Sequence, residues 1–224
     1  MYKVKELDYF RKAGDFVFKW SRNLTIARKI LLAVTIACVT GLGAQFKIPL
    51  PWTPVPITMQ TFFVLVAGVL LGRKWGGVSQ IIYVSFGILG IPWFAGSSIF
   101  GPTGGYLIGF ILAAFFLGYA TDKYTGKKNF GYILSLMFFA SFFLIYIPGL
   151  IQLGFYLYLI KGSSPGFTNI LSMGLLPFIP GALIKIFLAA LVSYNLIPSL
   201  GLGDKQGVKQ GLRIRCKTWK KSKD

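Results

Sequence analysis

Four uncharged stretches, 48–72, 75–121, 129–160 and 162–184, take up most of this chain. Each is long enough to hold one or two of the ~20-residue apolar spans that cross a bilayer. Prolines, glycines and charged residues divide the apolar sequence further, predicting six helices near 30–46, 57–71, 75–90, 104–121, 131–158 and 176–197. The second and third are short and meet at a glycine-basic turn, Gly72-Arg73-Lys74-Trp75-Gly76-Gly77. The fifth is long and carries Pro148-Gly149, so a kink or tilt is expected there. The pattern predicts an all-α integral membrane protein. A basic amphipathic segment (1–29) precedes a six-helix membrane domain (30–198), and a basic tail (199–224) follows it.

Composition strengthens this reading: 54% of residues are hydrophobic and only 13% are charged, against about 25% charged in a soluble domain. Charge placement adds an orientation. Eight Lys and Arg precede the first span, two sit at the second-to-third turn, three follow the fourth span and eight fill the tail. Only Lys47 and Lys161 fall on the opposite side, and Lys185 lies within a span. By the positive-inside rule both termini are expected to be cytoplasmic, which requires an even number of spans. The first thirty residues lack the cleavage pattern of a secretory leader, so the first span is expected to serve as its own insertion signal. A net charge of +18 fits topology and attraction to anionic lipid. No nucleic-acid recognition module accompanies it, so nucleic acid is not an expected partner.

The chemistry available is narrow. There is no histidine, and the six carboxylates (Glu6, Asp8, Asp15, Asp122, Asp204 and Asp224) all fall on the predicted cytoplasmic side. Cys38 and Cys216 share no metal-ligand spacing. A membrane enzyme, a metal site or an ion-coupled carrier would need groups that the spans do not provide, so no catalytic residue, cofactor or metal is expected. The one ionisable group inside a span is Lys185, about two turns into the last helix, which Pro180-Gly181 should start. A cation at such a depth costs roughly 2.5–3.5 kcal/mol and needs a partner or water. The helix N-terminus adds positive potential. A cationic pocket for an anionic ligand and a lysine snorkelling to the interface are both open readings.

Two segments on the side of Lys185 are rich in proline and glycine: 47–56, with Trp52, Thr53 and Pro54, and 92–106, with Ser97, Ser98 and Tyr106. Tight turns with interfacial aromatic anchors explain them, and so does a lid over an amphipathic ligand. Small residues recur every fourth position at Ala33-Ala37-Gly41, Gly68-Gly72-Gly76 and Gly101-Gly105-Gly109-Ala113, a pattern for close helix packing or for docking a second membrane protein.

Thr53-Pro54-Val55-Pro56-Ile57-Thr58-Met59-Gln60-Thr61-Phe62-Phe63-Val64-Leu65, followed by Gly101-Pro102-Thr103-Gly104-Gly105-Tyr106-Leu107-Ile108-Gly109-Phe110, closely resembles the BioY family. These are biotin-specific substrate-binding (S) subunits of energy-coupling-factor (ECF) transporters. The resemblance extends to Pro177-Phe178-Ile179-Pro180-Gly181 with Lys185 and covers most of the chain from Ala33 to Val192. It implies a six-helix S-component bundle in the cell membrane, biotin as substrate, a transmembrane coupling protein and two cytoplasmic ATPases as partners. It also implies docking to the coupling protein through an Ala-x-x-x-Ala pattern, matched by Ala33 and Ala37. The family's last-span lysine, expected to meet the biotin carboxylate, matches Lys185. Where the family commonly has an aspartate for the ureido ring, this sequence has Ala182, so Gln60, Ser97, Ser98 or a backbone carbonyl would have to compensate. No Gly-x-x-x-x-Gly-Lys-Ser/Thr motif occurs, so ATP hydrolysis would fall to another chain. An S-component for another carboxylate-bearing vitamin or a biotin precursor, and a membrane scaffold, are the alternative readings.

Overall fold

The structure, a computed structural model, describes residues 24–96, 98–124, 129–162 and 166–197. The basic segment up to residue 23, the tail beyond residue 197 and Ser97 lie outside the described residues.

Helix α1 (Ile26–Gln45) leads into a short antiparallel ribbon of β1 (Lys47–Leu50) and β2 (Thr53–Thr58), then α2 (Gln60–Ile88) and α3 (Gly104–Lys123). Next come α4 (Phe130–Phe139), a wide π-helical stretch (Ala140–Ile145) and α5 (Tyr146–Lys161), which run on as one continuous rod. The short α6 (Phe167–Gly174) and a 3-10 turn (Leu176–Phe178) lead into α7 (Ile179–Leu196). Among the described residues, five helices are long and apolar enough to cross a membrane. The ribbon was not anticipated from sequence. It pairs Lys47 with Thr58, Ile48 with Ile57 and Leu50 with Thr53, and slips register between Ile48 and Leu50. Pro49, with no N–H to donate, sits at that slip.

The 29 residues of α2 are not one rod. At Gly72 the backbone leaves the helix (φ 77, ψ −176), in a region that residues with a Cβ avoid. The chain then folds back, so that Gly76 lies against the Cα of Gly68 and Gln60 reaches Tyr83 at 2.7 Å. A straight helix would hold those two about 35 Å apart at ~1.5 Å per residue. Gly118 of α3 packs directly on the Gly72–Arg73 peptide, and Gly68 on the Ala114 carbonyl. The second and third small-residue stripes therefore serve internal packing. Gly105 and Gly109 bring α3 onto the carbonyls of Pro148 and Leu144. Pro148 cannot donate to the carbonyl four residues back, and the wide turn just before it accommodates the lost bond. The fifth predicted span was expected to kink or tilt at Pro148-Gly149; the structure places a π-helical stretch just before it within an unbroken helical run. Ala33 and Ala37 are fully covered within the chain, with α1 packed on α2. A partner reaches them only after α1 shifts.

Candidate functional site

The ribbon end of the bundle holds a partly open cavity of about 50 Å³. Its roof is Val55, Pro56 and Thr58 of β2, and its walls come from Gln60 and Thr61 at the start of α2 and from Thr103, Tyr106, Leu107 and Phe110 around the start of α3. Ala95, Ile145, Tyr146, Phe178 and Lys185 complete the lining. The polar members are neutral except for Lys185, whose side chain is 7% exposed. Its Nζ donates to the Thr58 carbonyl at 2.9 Å. Asp122, the one carboxylate among the described residues, lies twelve residues beyond Phe110 on α3, about 18 Å away along the helix. It cannot neutralise the ammonium.

Gln60 is buried, and both ends of its amide are engaged: Nε2 donates to Tyr83 Oη at 2.7 Å, and Oε1 accepts from Thr58 Oγ1 at 3.1 Å. Tyr106 presents its ring to the cavity while its hydroxyl donates to the Gly174 carbonyl at 2.8 Å. Tyr146 stands edge-on to it, ring centres 5.9 Å apart. The cavity thus combines one cation, several neutral donors and acceptors, and aromatic walls. That set suits a small amphipathic molecule with an anionic end. Among the described residues no group of His, Cys, Asp or Glu could hold a metal ion.

Of the residues singled out from sequence, Lys185, Gln60 and Tyr106 meet at the cavity. Ala182 is fully buried one turn before Lys185 and Ser98 is half-buried with its Oγ accepting from Phe100 N, and neither is among the lining residues. In the ribbon, Trp52 (58% exposed) and Pro54 face outwards. Thr53 is buried and latches the ribbon, its Oγ1 donating to the Met173 carbonyl at 2.6 Å. The next residues along β2 form the roof. Sequence reasoning missed Thr58, Thr61 and Thr103, although uncharged polar residues crowded at a span's start were a usable signal. It also missed Gln152, whose Nε2 clamps the proline-glycine loop by donating to the carbonyls of Ile99 (2.7 Å) and Gly101 (3.0 Å).

The BioY family model matches residues 14–201. The chain belongs to the BioY family. This member is 46% identical over 155 residues to the probable biotin transporter BioY of Methanothermobacter thermautotrophicus, a match covering 66% of this chain and 99% of the relative. It is 37% identical over 174 residues to the biotin transporter BioY of Thermotoga maritima, covering 75% and 95%. Among solved structures, the S-component for biotin from an ECF-type ABC transporter aligns with a TM-score of 0.66 at 26% identity, covering 77% of this chain and 94% of the other. The BioY bundle described above is therefore an ECF S-component fold, and this is a multi-pass membrane protein of a transporter family rather than an enzyme.

Proposed function

We propose that this chain captures biotin at the outer face of a prokaryotic cell membrane, as the substrate-binding subunit of an ECF transporter. The observation that carries the reading is Lys185: a buried ammonium on the cavity wall of a BioY family member, held by one backbone carbonyl and remote from the sole described carboxylate. A ligand carboxylate replaces the Thr58 carbonyl as its partner and gains a charge-assisted hydrogen bond, stronger than a neutral one. The aromatic walls of Tyr106, Tyr146, Phe110 and Phe178 take the apolar part of the ligand, and Thr58, Gln60, Thr61 and Thr103 offer donors and acceptors to a ureido group. Because about 50 Å³ is well below the roughly 300–1,000 Å³ of an ordinary small-molecule site, the ribbon must lift or shift to admit biotin.

Six spans with both termini cytoplasmic complete the proposal. The fold-back at Gly72 divides α2 into two short spans. Arg73, Lys74 and Lys123 then gather at the cytoplasmic end, with Lys47 at the other. A transmembrane coupling protein and two cytoplasmic ATPases supply the energy. Ala182, in place of an acidic residue, favours the second reading, another carboxylate-bearing vitamin or biotin precursor. Thermal unfolding of the detergent-purified protein with a panel of small carboxylates separates the two. Saturation to 100-fold above Kd stabilises a binder by about 2.7 kcal/mol, so biotin should raise Tm clearly. A rise with another carboxylate alone selects the second reading. No rise with any of them fits a scaffold.

A further inference from the structure

We infer that Tyr83 is a positioning residue for ligand selectivity, because its hydroxyl fixes which way the Gln60 amide faces in the cavity. The inference rests on the biotin reading above. Tyr83 is fully buried and does not line the cavity, whereas Gln60 does. The proton directions follow from donor and acceptor counting. A backbone carbonyl can only accept, so Tyr83 donates its one proton to the Trp93 carbonyl, 3.3 Å away. Tyr83 Oη must then accept from Gln60, which turns Nε2 towards it at 2.7 Å. The opposite end of the amide, Oε1, accepts from Thr58 Oγ1 at 3.1 Å. Trp93 is held in turn, its Nε1 donating to the Tyr83 carbonyl at 3.0 Å and its ring packed on Gly41.

The result is a one-way chain from Thr58 through Gln60 and Tyr83 to Trp93, with a single amide orientation. One N–H and one lone pair of Gln60 remain for a ligand, each at a fixed place. Thr58 joins this chain to the cation, since its carbonyl holds Lys185. Without the Tyr83 hydroxyl nothing distinguishes the two amide orientations except Thr58, whose hydroxyl can donate or accept. The cavity then tolerates a donor where it formerly accepted only an acceptor. Selectivity, more than affinity, is what Tyr83 supplies.

The test compares equilibrium binding of three probes, biotin, biotinamide and iminobiotin, to wild type and Tyr83→Phe. Biotinamide replaces the carboxylate by a group that carries N–H donors, and iminobiotin does the same to the ureido carbonyl. Tyr83→Phe should narrow the gap between biotin and one of these analogues by about 5- to 10-fold, leave the other gap unchanged, and have no effect on either gap in a Gln60→Ala background. Equal weakening of all three probes, or no change, overturns the inference. Failure of wild type to bind biotin sinks the biotin reading instead. A ligand-free readout still decides the inference: the Gln60 side-chain amide in nitrogen-15-labelled protein should show one well-dispersed proton pair that merges or broadens in Tyr83→Phe. An unchanged pair overturns it. If Tyr83→Phe is not recovered folded, Thr58→Val decides: Tyr83 Oη still holds Gln60 Nε2 there, so the difference in gap between the two analogues should persist, and its loss in Thr58→Val overturns the inference.

Discussion

The two ends of this bundle are held together in different ways. At the Gly72 end, backbones touch: Gly118 of α3 lies on the Gly72–Arg73 peptide, and Asp122 one turn later accepts from Arg73 N at 3.0 Å. The Arg73 guanidinium sits 5.0 Å from the ring centres of both Phe115 and Tyr119. At the ribbon end, single side chains reach across long sequence separations to lone carbonyls. Thr53 binds Met173, Tyr106 binds Gly174, Lys185 binds Thr58 and Gln152 binds Ile99. Close-packed backbone has little room to adjust. A hydrogen bond contributes a net ~0.5–1.5 kcal/mol and can be exchanged for one to a ligand. The Gly72 end is therefore a fixed block, whereas at the ribbon end, where Gly105 still lays α3 on the Pro148 carbonyl, replaceable latches surround the cavity.

Substitutions at the two ends should behave differently. The largest effect should come from Gly118→Val, whose added carbons run into the Gly72–Arg73 peptide. We expect a loss of at least ~3 kcal/mol in stability, seen as a collapse of thermal unfolding temperature or of monodisperse yield. Next is Lys185→Ala: biotin affinity should fall by about 10- to 100-fold, corresponding to the ~1.5–3 kcal/mol of a hydrogen bond to a charged group. The ligand-free protein should not lose stability, because burying that cation is itself costly. Asp122→Ala removes the acceptor at the start of the returning arm of α2 and should cost ~0.5–2 kcal/mol, with biotin Kd unchanged within about twofold by the independence of distant sites. Last comes Thr53→Val, the smallest stability loss among the variants expected to show one. Releasing the ribbon latch should lower stability by ~1 kcal/mol or less while raising the biotin off-rate several-fold in a stopped-flow or filter assay. Equal loss of ligand affinity from Asp122→Ala and Thr53→Val would erase the proposed division between the ends.

Much of the fold was legible because charge is so scarce in this chain: the uncharged runs outline the helices, and Gly72-Arg73-Lys74 marks the reversal within α2. The ribbon was not legible. A stretch with Pro49, Pro51, Pro54 and Pro56 reads as loop, since proline weakens every ladder, and only the tertiary setting shows that four and six residues pair there. In the site, Lys185 stood out as a cation in an apolar helix, and Gln60 and Tyr106 lay in motif segments that drew attention. Tyr83 gave no signal, because an aromatic residue within an apolar run looks like any other core residue until its hydroxyl finds a partner; Trp93 lay in the flagged segment 92–106, where it read as an interfacial anchor and not as the acceptor for Tyr83. The burial of Ala33 and Ala37 was equally hidden. A small-residue stripe says that something packs closely, and not whether it is the same chain.

The most direct test of the central claim is equilibrium binding of labelled biotin to purified wild type and Lys185→Ala side by side. Wild type should bind saturably and the variant about 10- to 100-fold more weakly, with both proteins equally well folded. Biotin binding of equal strength by the two would contradict it, because the buried ammonium would then have no part in holding the ligand.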